Sequence, residues 1–141
     1  MFIRLICIAF LLTVQAAHAQ TLQLITADEA KQPAVAAKPG SRAITRGPGV
    51  KLASPESVSG SFPFKVEFAP RGESKIDPAS VKVEYLRGSG VDLTERLKAG
   101  TSATGISVAA ASAPPGEHAF RVSVRDSEGR EGHAEFKLTV K

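Results

Sequence analysis

Hydrophobic and polar residues alternate with a period of two along most of the chain from Val50 onward, and this period predicts β-strands. In the stretch SFPFKVEFAP, the side chains of Phe62, Phe64 and Phe68 fall on one face and that of Lys65 falls on the other. Similar runs, separated by turns rich in glycine and proline, give seven predicted strands at 50–52, 62–68, 81–85, 91–93, 106–108, 120–124 and 136–140. The pattern therefore predicts an all-β, seven-stranded antiparallel sandwich over 49–141, although VDLTERL also fits one helical turn at a sheet edge.

The preceding segment, 20–48, differs in kind from this domain. It has no aromatic residue and carries Pro33, Pro39 and Pro48, so it lacks the apolar density that offsets ordering entropy. We therefore expect a flexible N-terminal tail or linker. Two local signals stand near its start. The run Thr26-Ala27-Asp28-Glu29 fits a capping box before a short helix, and Leu22, Leu24 and Ile25 are equally compatible with a small strand. The segment 21–26 is compatible with pairing to a partner, with folding back on the domain and with a plain spacer.

The first nineteen residues, MFIRLICIAFLLTVQAAHA, resemble a secretory signal peptide. Arg4 precedes a short apolar run, and Ala17-His18-Ala19 gives the small-x-small pattern before cleavage at Gln20. The apolar run has half the length that a membrane anchor needs, and Cys7 lies inside it, too early for a lipidated cysteine. We expect an exported bacterial protein, periplasmic or secreted, without a membrane anchor after cleavage.

Composition narrows the chemistry of the mature chain. No cysteine follows Ala19, which excludes a thiol nucleophile, a disulfide framework and a cysteine-based zinc site. Removal of Arg4 with the leader lowers the formal charge from +4 to +3, with no basic cluster of the kind that nucleic-acid binders use. The mature chain has no tryptophan, and all six aromatic residues fall on the inward parity of their strands, which predicts a core and not a stacking platform for sugars or bases: Phe62, Phe64, Phe68, Tyr85, Phe120 and Phe136.

Two longer segments resemble parts of bacterial immunoglobulin-like domains of the fibronectin III and cadherin type. IDPASVKVEYLRGSGVDLTERL is similar to their Asp-Pro turn that leads a strand into a glycine loop, and PPGEHAFRVSVRDSEGREGHAEFKLTV is similar to their final hairpin. Such domains often have asparagine where this hairpin has Arg130. The layout of tail and domain also resembles small exported proteobacterial proteins of an uncharacterised family. The resemblance implies an immunoglobulin-like fold and implies no activity.

The final hairpin contains His118 and His133, the two histidines of the mature chain, each beside carboxylates. Alternation places His118 on the core side and His133 on the solvent side, toward opposite ends of the hairpin, so we do not expect them to share a metal. The same register predicts two solvent-face ion pairs, Arg125 with Glu131 and Arg121 with Glu135. Asp126 is expected to begin the turn, with Gly129 at the position of positive φ. The more specific alternative for these carboxylates is a calcium site formed by Asp126, Glu128 and Glu131, but Arg130 lies among these ligands.

No pattern for catalysis or cofactor binding is apparent. The chain has no Gly-x-Ser-x-Gly motif, its acids lie on solvated strand faces or in turns, and Gly88-Ser89-Gly90 is too short for a phosphate loop. We therefore predict no catalytic, cofactor-binding or metal residues, no cofactor and no enzymatic activity. The expected function is a non-enzymatic binding or accessory module that contacts another cell-envelope protein. The alternatives are a periplasmic small-ligand or metal-handling protein and a structural subunit of a surface assembly.

Overall fold

The computed structural model describes residues 20–35 and 46–141. Over these ranges the fold is mainly β, with ten strands, two short helices and a 3₁₀ turn at Lys98–Gly100. The strands are β1 (Leu22–Gln23), β2 (Gly49–Leu52), β3 (Ser57–Val58), β4 (Phe62–Ala69), β5 (Ile76–Tyr85), β6 (Val91–Asp92), β7 (Thr101–Ser102), β8 (Gly105–Ser112), β9 (Gly116–Asp126) and β10 (Glu131–Val140). The helices are α1 (Ala27–Lys31) and α2 (Thr94–Leu97).

The strands form two mixed sheets. The first sheet has the order β1-β8-β4-β2, and β7 also pairs with β8; the second has the order β3-β10-β9-β5-β6. The pairs β1–β8 and β3–β10 are parallel, and all other pairs are antiparallel.

The all-β prediction is confirmed, and each of the seven predicted strands coincides with a strand in the structure. The strand count and the purely antiparallel arrangement were wrong. The three additional strands, β1, β3 and β7, have two residues each, which is too short for an alternation to be detected. VDLTERL forms both a strand and a helical turn, since β6 is followed after one residue by α2.

One hydrophobic core lies between the two sheets. Its buried members come from the inward positions of both, and Phe64 of β4 meets Phe120 of β9 with 5.9 Å between ring centroids. Leu93, the residue before α2, and Leu97, the last residue of α2, are fully buried and belong to this core. Two sheets packed over a single core are compatible with a β-sandwich.

The N-terminal segment belongs to the folded unit, contrary to the expectation of a flexible tail over 20–48. Leu24 and Ile25 are 0% exposed within the core, and the Leu24 N–H donates to the Ser112 carbonyl at 2.9 Å. The tail prediction is wrong for 20–35 because the apolar run LQLI, despite its short length, reaches the end of the core. Residues 36–45, and the predicted signal peptide at 1–19, lie outside the described residues.

The predicted capping box is confirmed at the start of α1. The Glu29 N–H donates to Thr26 Oγ1 at 3.2 Å, and the Thr26 N–H donates to Glu29 Oε2 at 2.8 Å. Both donors are otherwise orphans of a helix start, so the box fixes the turn that follows the buried pair at 24–25. Within 20–35 and 46–141, no helix is long and apolar enough to cross a membrane.

Candidate functional site

The hairpin of β9 and β10 places its two histidines as predicted. His118 is 2% exposed and lies opposite Leu138, whereas His133 is exposed and lies opposite Ser123. The two rings therefore occupy opposite faces and opposite ends of the hairpin. They are not brought together in one site.

His118 forms a buried hydrogen-bonded chain with Tyr85. The Tyr85 hydroxyl lies 2.9 Å from His118 Nδ1, and His118 Nε2 lies 2.7 Å from the Pro114 carbonyl oxygen. Burial lowers the pKa of His118, which favours the neutral ring. Since a carbonyl only accepts, Nε2 carries the proton and Nδ1 accepts from Tyr85. Burial also raises the pKa of Tyr85, which keeps its donor proton in place. Both ring nitrogens are thereby occupied, and the chain joins β5, β9 and the preceding turn.

Asp126 organises the turn between β9 and β10, and it does so more completely than predicted. Its Oδ1 accepts from the backbone N–H groups of Glu128 at 3.0 Å and Arg130 at 2.9 Å. Its Oδ2 accepts from Arg130 Nε at 2.9 Å. Burial alone would raise the pKa of Asp126, but these bonds from Arg130 and Glu128 hold it below its usual range. Gly129, with φ of 76°, closes the turn as expected.

The carboxylates proposed as an alternative calcium site are paired with arginines. Arg130 contacts both Asp126 and Glu128, and Arg125 Nη2 lies 3.3 Å from Glu131 Oε2. Within the described part of the chain, no group of three or more His, Cys, Asp or Glu side chains is arranged to hold a metal ion. Arg130 and Arg125 thus pair with the three carboxylates that would have to ligate calcium.

On the outer face of the second sheet, a row of charges alternates in sign across β5, β9 and β10, and beyond it Asp92 of β6 lies opposite Glu84. Glu84 of β5, Arg121 of β9 and Glu135 of β10 are neighbours in register. Arg121 Nε donates to Glu135 Oε1 at 3.0 Å, and Arg121 Nη1 lies 3.9 Å from Glu84 Oε2. The predicted pair of Arg121 with Glu135 is thus confirmed, as is that of Arg125 with Glu131. Because one guanidinium serves two carboxylates, the row carries a net negative charge and ends on Glu135.

Five of the six aromatic side chains predicted to be inward are buried, and Phe136 is the exception. It lies opposite Phe120 and therefore faces the same side of the sheet, but it is only partly buried. The reason is its place in the sheet. β10 pairs with β9 along its whole length, but β3 covers it on the other side only at Thr139 and Val140.

The middle of β10 presents an open edge to its surroundings. The Thr139 N–H donates to the Glu56 carbonyl at 2.7 Å, so Thr139 directs its backbone groups away from β9. In an antiparallel pair this direction alternates, and the pairing of β9 with β10 is regular. His133, Glu135 and Lys137 therefore direct their N–H and C=O groups outward as well. Among the described residues, none forms a backbone hydrogen bond with these groups.

The chain itself defines both ends of this open edge. At one end, Gly47 and Pro48 lie against the backbone of Glu131 and Gly132, so closely that a side chain at Gly132 would collide with Pro48. At the other end, β3 pairs with Thr139–Val140. Between these two contacts the chain runs through β2, which pairs with β4 of the opposite sheet. β2 also packs against β10. Residues 133–137, a length of roughly 16 Å at about 3.3 Å per residue, nevertheless form no backbone hydrogen bond with β2 or with another described residue on this side.

An apolar groove of about 470 Å³ adjoins this open edge. Leu52, Leu86 and Phe136 line it, together with Val35, which at 41% exposure is the large hydrophobic side chain left most open in the described chain. A second cavity of about 240 Å³ adjoins the first and shares Val35 and Leu86 with it. Charged groups at the rim include Glu56, Glu135 and Lys137.

The surface of edge and groove was not identified from the sequence. Phe136 was assigned to the core because its parity is inward, and Val35 was placed in the flexible tail. The sequence does signal that β10 is a strand, but which of its sides lacks a neighbour depends on the path of 46–58. That path is set by contacts between residues more than seventy positions apart, such as Gly47 with Glu131.

Comparison with known proteins gives no relative from which a function could be transferred. No protein-family model matches the chain, and no curated protein matches it significantly. The geometry of the two-sheet fold is therefore the basis from which a function is inferred.

Proposed function

We propose that this chain is a non-enzymatic binding module of the bacterial periplasm or exterior, with an immunoglobulin-like sandwich that contacts another cell-envelope protein. In this proposal 1–19 is a cleaved signal peptide, and the contact surface is the edge-and-groove surface formed by 133–137, Val35, Leu52 and Phe136. The partner contributes an extended segment of its own chain.

The observation that supports the proposal is the coincidence of an open strand edge with an apolar groove. Unpaired backbone groups of an edge strand bind another strand without regard to its sequence, and adjacent pockets supply selectivity through alternate side chains. Glu135 and Lys137 provide a charged rim, and the half-buried Phe136 provides an apolar centre. Apolar centres with polar rims are typical of protein interfaces.

The buried groups that could take part in chemistry have structural partners. Tyr85 and His118 satisfy one another inside the core, and Asp126 is held by Arg130. Among the described residues, each buried side-chain nitrogen or oxygen has a hydrogen-bond partner. A polar group whose hydrogen bonds are made within the fold is not available to a substrate. This favours a binding role for the protein over a catalytic one.

Site-specific photocross-linking in cells tests this proposal. A photoreactive amino acid is introduced at Val35 or His133, with Lys65 on the outer face of the first sheet as the matched control. We expect one envelope protein to be captured from Val35 and His133 and not from Lys65. The captured protein, purified, should then bind the wild-type chain at least about tenfold more tightly than Val35→Glu, because burying an unpaired carboxylate in an apolar contact is strongly unfavourable. Capture from Lys65 alone, or equal affinity for Val35→Glu, would contradict the proposed surface.

A further inference from the structure

From the geometry of β10 we infer that the partner binds by adding a strand at 133–137, with a lysine or arginine placed opposite Glu135. This inference rests on the proposed function and specifies its mode and the chemistry of its partner. It follows from the direction of the backbone groups, the limits of the edge and the charge row that ends there.

The backbone groups specify strand addition over a simple apolar contact. His133, Glu135 and Lys137 direct three N–H and three C=O groups outward, in a regular stretch of β10. The uncovered stretch ends at Gly132, which contacts Pro48, and at Thr139, which is bonded to Glu56. An added strand therefore has about five residues in register with β10.

A second copy of this chain is a poor occupant of the edge. Antiparallel pairing of two β10 strands about the centre of the window would place Glu135 directly opposite its counterpart, and like charges in that position are destabilising. A shift of register that places Glu135 opposite Lys137 would set His133 opposite Thr139, whose outward N–H is already bonded to Glu56. It therefore retains two hydrogen-bonded residue pairs where the centred register has three. The edge therefore favours a different chain.

The charge row selects the residue that faces Glu135. Glu84, Arg121 and Glu135 alternate in sign across β5, β9 and β10, and one guanidinium is shared between the two carboxylates. A cation on the next strand continues the alternation beyond Glu135 and offsets the negative charge at that end. Cross-strand pairs of this kind contribute modestly, so the cation fixes the register and orientation of the partner more than its affinity.

The flanking residues of the added strand face the groove. Positions on either side of the cation point to the opposite face of the sheet, which is the face of Phe136. Phe136 and Leu52 line the groove there, so apolar β-branched side chains fit these two positions. The three central residues of the predicted ligand are thus apolar, basic and apolar in sequence, and they are in an extended conformation.

The test uses the full chain as recovered after export, labelled with nitrogen-15, and the acetylated and amidated peptide threonine–valine–lysine–valine–threonine. Millimolar peptide should shift the amide signals of His133, Glu135 and Lys137 and slow their hydrogen exchange. The added strand is antiparallel to β10, so the lysine N–H donates to Glu135 and the valine N–H groups point to solvent. Methylation of the lysine backbone nitrogen should therefore abolish these shifts, whereas methylation of a valine nitrogen should preserve them. Replacing the lysine with glutamate should weaken binding about two- to fivefold.

A matched pair of variants tests the same geometry from the side of the protein. His133→Pro removes one outward N–H and no bond to β9, since His133 is in a non-hydrogen-bonded pair with Ser123. His133→Ala removes the side chain and retains the N–H. We expect His133→Pro to lose at least about tenfold in peptide affinity and His133→Ala to bind as wild type.

Three results would overturn the inference. Shifts at Val35 and Phe136 that are insensitive to backbone methylation would mean that the groove binds without strand addition, which leaves the proposed function intact. An absence of shifts, with the photocross-linked partner still bound through Val35, would have the same meaning. Protection of the Glu135 amide without peptide, with a loss of stability in His133→Pro, would mean that this chain already occupies its own edge.

Discussion

The N-terminal segment supplies a prediction that separates a folded element from a passive tail. Leu24 is 0% exposed, and its N–H and C=O bond to Ser112 at 2.9 Å and to Arg96 Nη1 at 3.0 Å. Leu24→Ala removes apolar side-chain volume from the core and retains both backbone bonds. Any change in the free energy of unfolding therefore reports the burial of this side chain.

The expected loss can be bounded from the position of Leu24. Buried Leu→Ala substitutions cost about 2–5 kcal/mol, and the cost falls where neighbours can collapse into the cavity. Leu24 lies on a segment anchored by a two-residue strand and a five-residue helix, which can adjust more readily than a central strand. We therefore expect a loss of about 2–3 kcal/mol, or roughly 10 °C in the unfolding midpoint of a domain of this size.

Urea unfolding of the mature chain measures this loss, with Gln23→Ala as the control. Gln23 is the exposed neighbour of Leu24 in the same segment, so its truncation should change the free energy of unfolding by less than about 0.5 kcal/mol. If the two variants are equally stable, the segment does not contribute to the core and the reasoning is refuted. For the same reason, deletion of 20–47 is expected to destabilise the domain and is not a neutral way to test the segment in partner binding.

Three further predictions concern buried groups. Glu29→Gln should destabilise the domain by about 1–2 kcal/mol at pH 7, because hydrogen bonds from its guanidinium partner lower the pKa of Glu29 to about 2. Since that pKa is depressed on folding, the contribution is present above about pH 4.5 and is lost as the pH falls toward 2; urea unfolding across this range measures it. Tyr85→Phe leaves Nδ1 of buried His118 without its donor and should cost about 1–3 kcal/mol, measured by thermal unfolding. Phe64→Ala should cost about 3–5 kcal/mol in urea unfolding, and Lys65→Ala almost nothing.

Each of these predictions has a result that would contradict it. An unchanged pH dependence in Glu29→Gln would mean that this carboxylate does not carry the acid-labile stability assigned to it. A neutral Tyr85→Phe would mean that the buried hydrogen-bonded chain is not formed in solution. Equal effects at Phe64 and Lys65 would invalidate the assignment of inward and outward faces on β4.

The hairpin of β9 and β10 could be predicted in detail from the sequence because its determinants are local. Alternation fixes the faces of His118 and His133, and the turn at Asp126 and Gly129 fixes the register of the arginine–glutamate pairs. Neither inference requires knowledge of a distant segment. The partner of the Tyr85 hydroxyl, in contrast, is thirty-three positions away, and no local pattern identifies it.

The flexible-tail prediction failed because average composition conceals a short anchored run. Over 20–48 the density of apolar residues is low, yet two adjacent side chains, Leu24 and Ile25, are enough to dock the start of the segment. Glu29 then joins Arg96 through two hydrogen bonds, at 2.9 and 2.7 Å. The capping box and the apolar run LQLI were the two local signals of order in this region, and the structure places both in ordered elements.

The open edge could not be predicted because a strand and an unpaired strand have the same sequence pattern. β10 alternates polar and apolar residues along its length, which is what an interior strand with one solvated face also does. Its edge is open because the chain leaves β10 at Pro48, pairs with the opposite sheet through β2 and returns only at Ser57. Closing the gap would require β2 to pair with β10 in place of β4. Because β2 joins the first sheet, five residues of β10 in the second have no strand partner on this side among the described residues. The same pairing of β2 places Leu52 beside Phe136 at the groove that we propose as the binding surface.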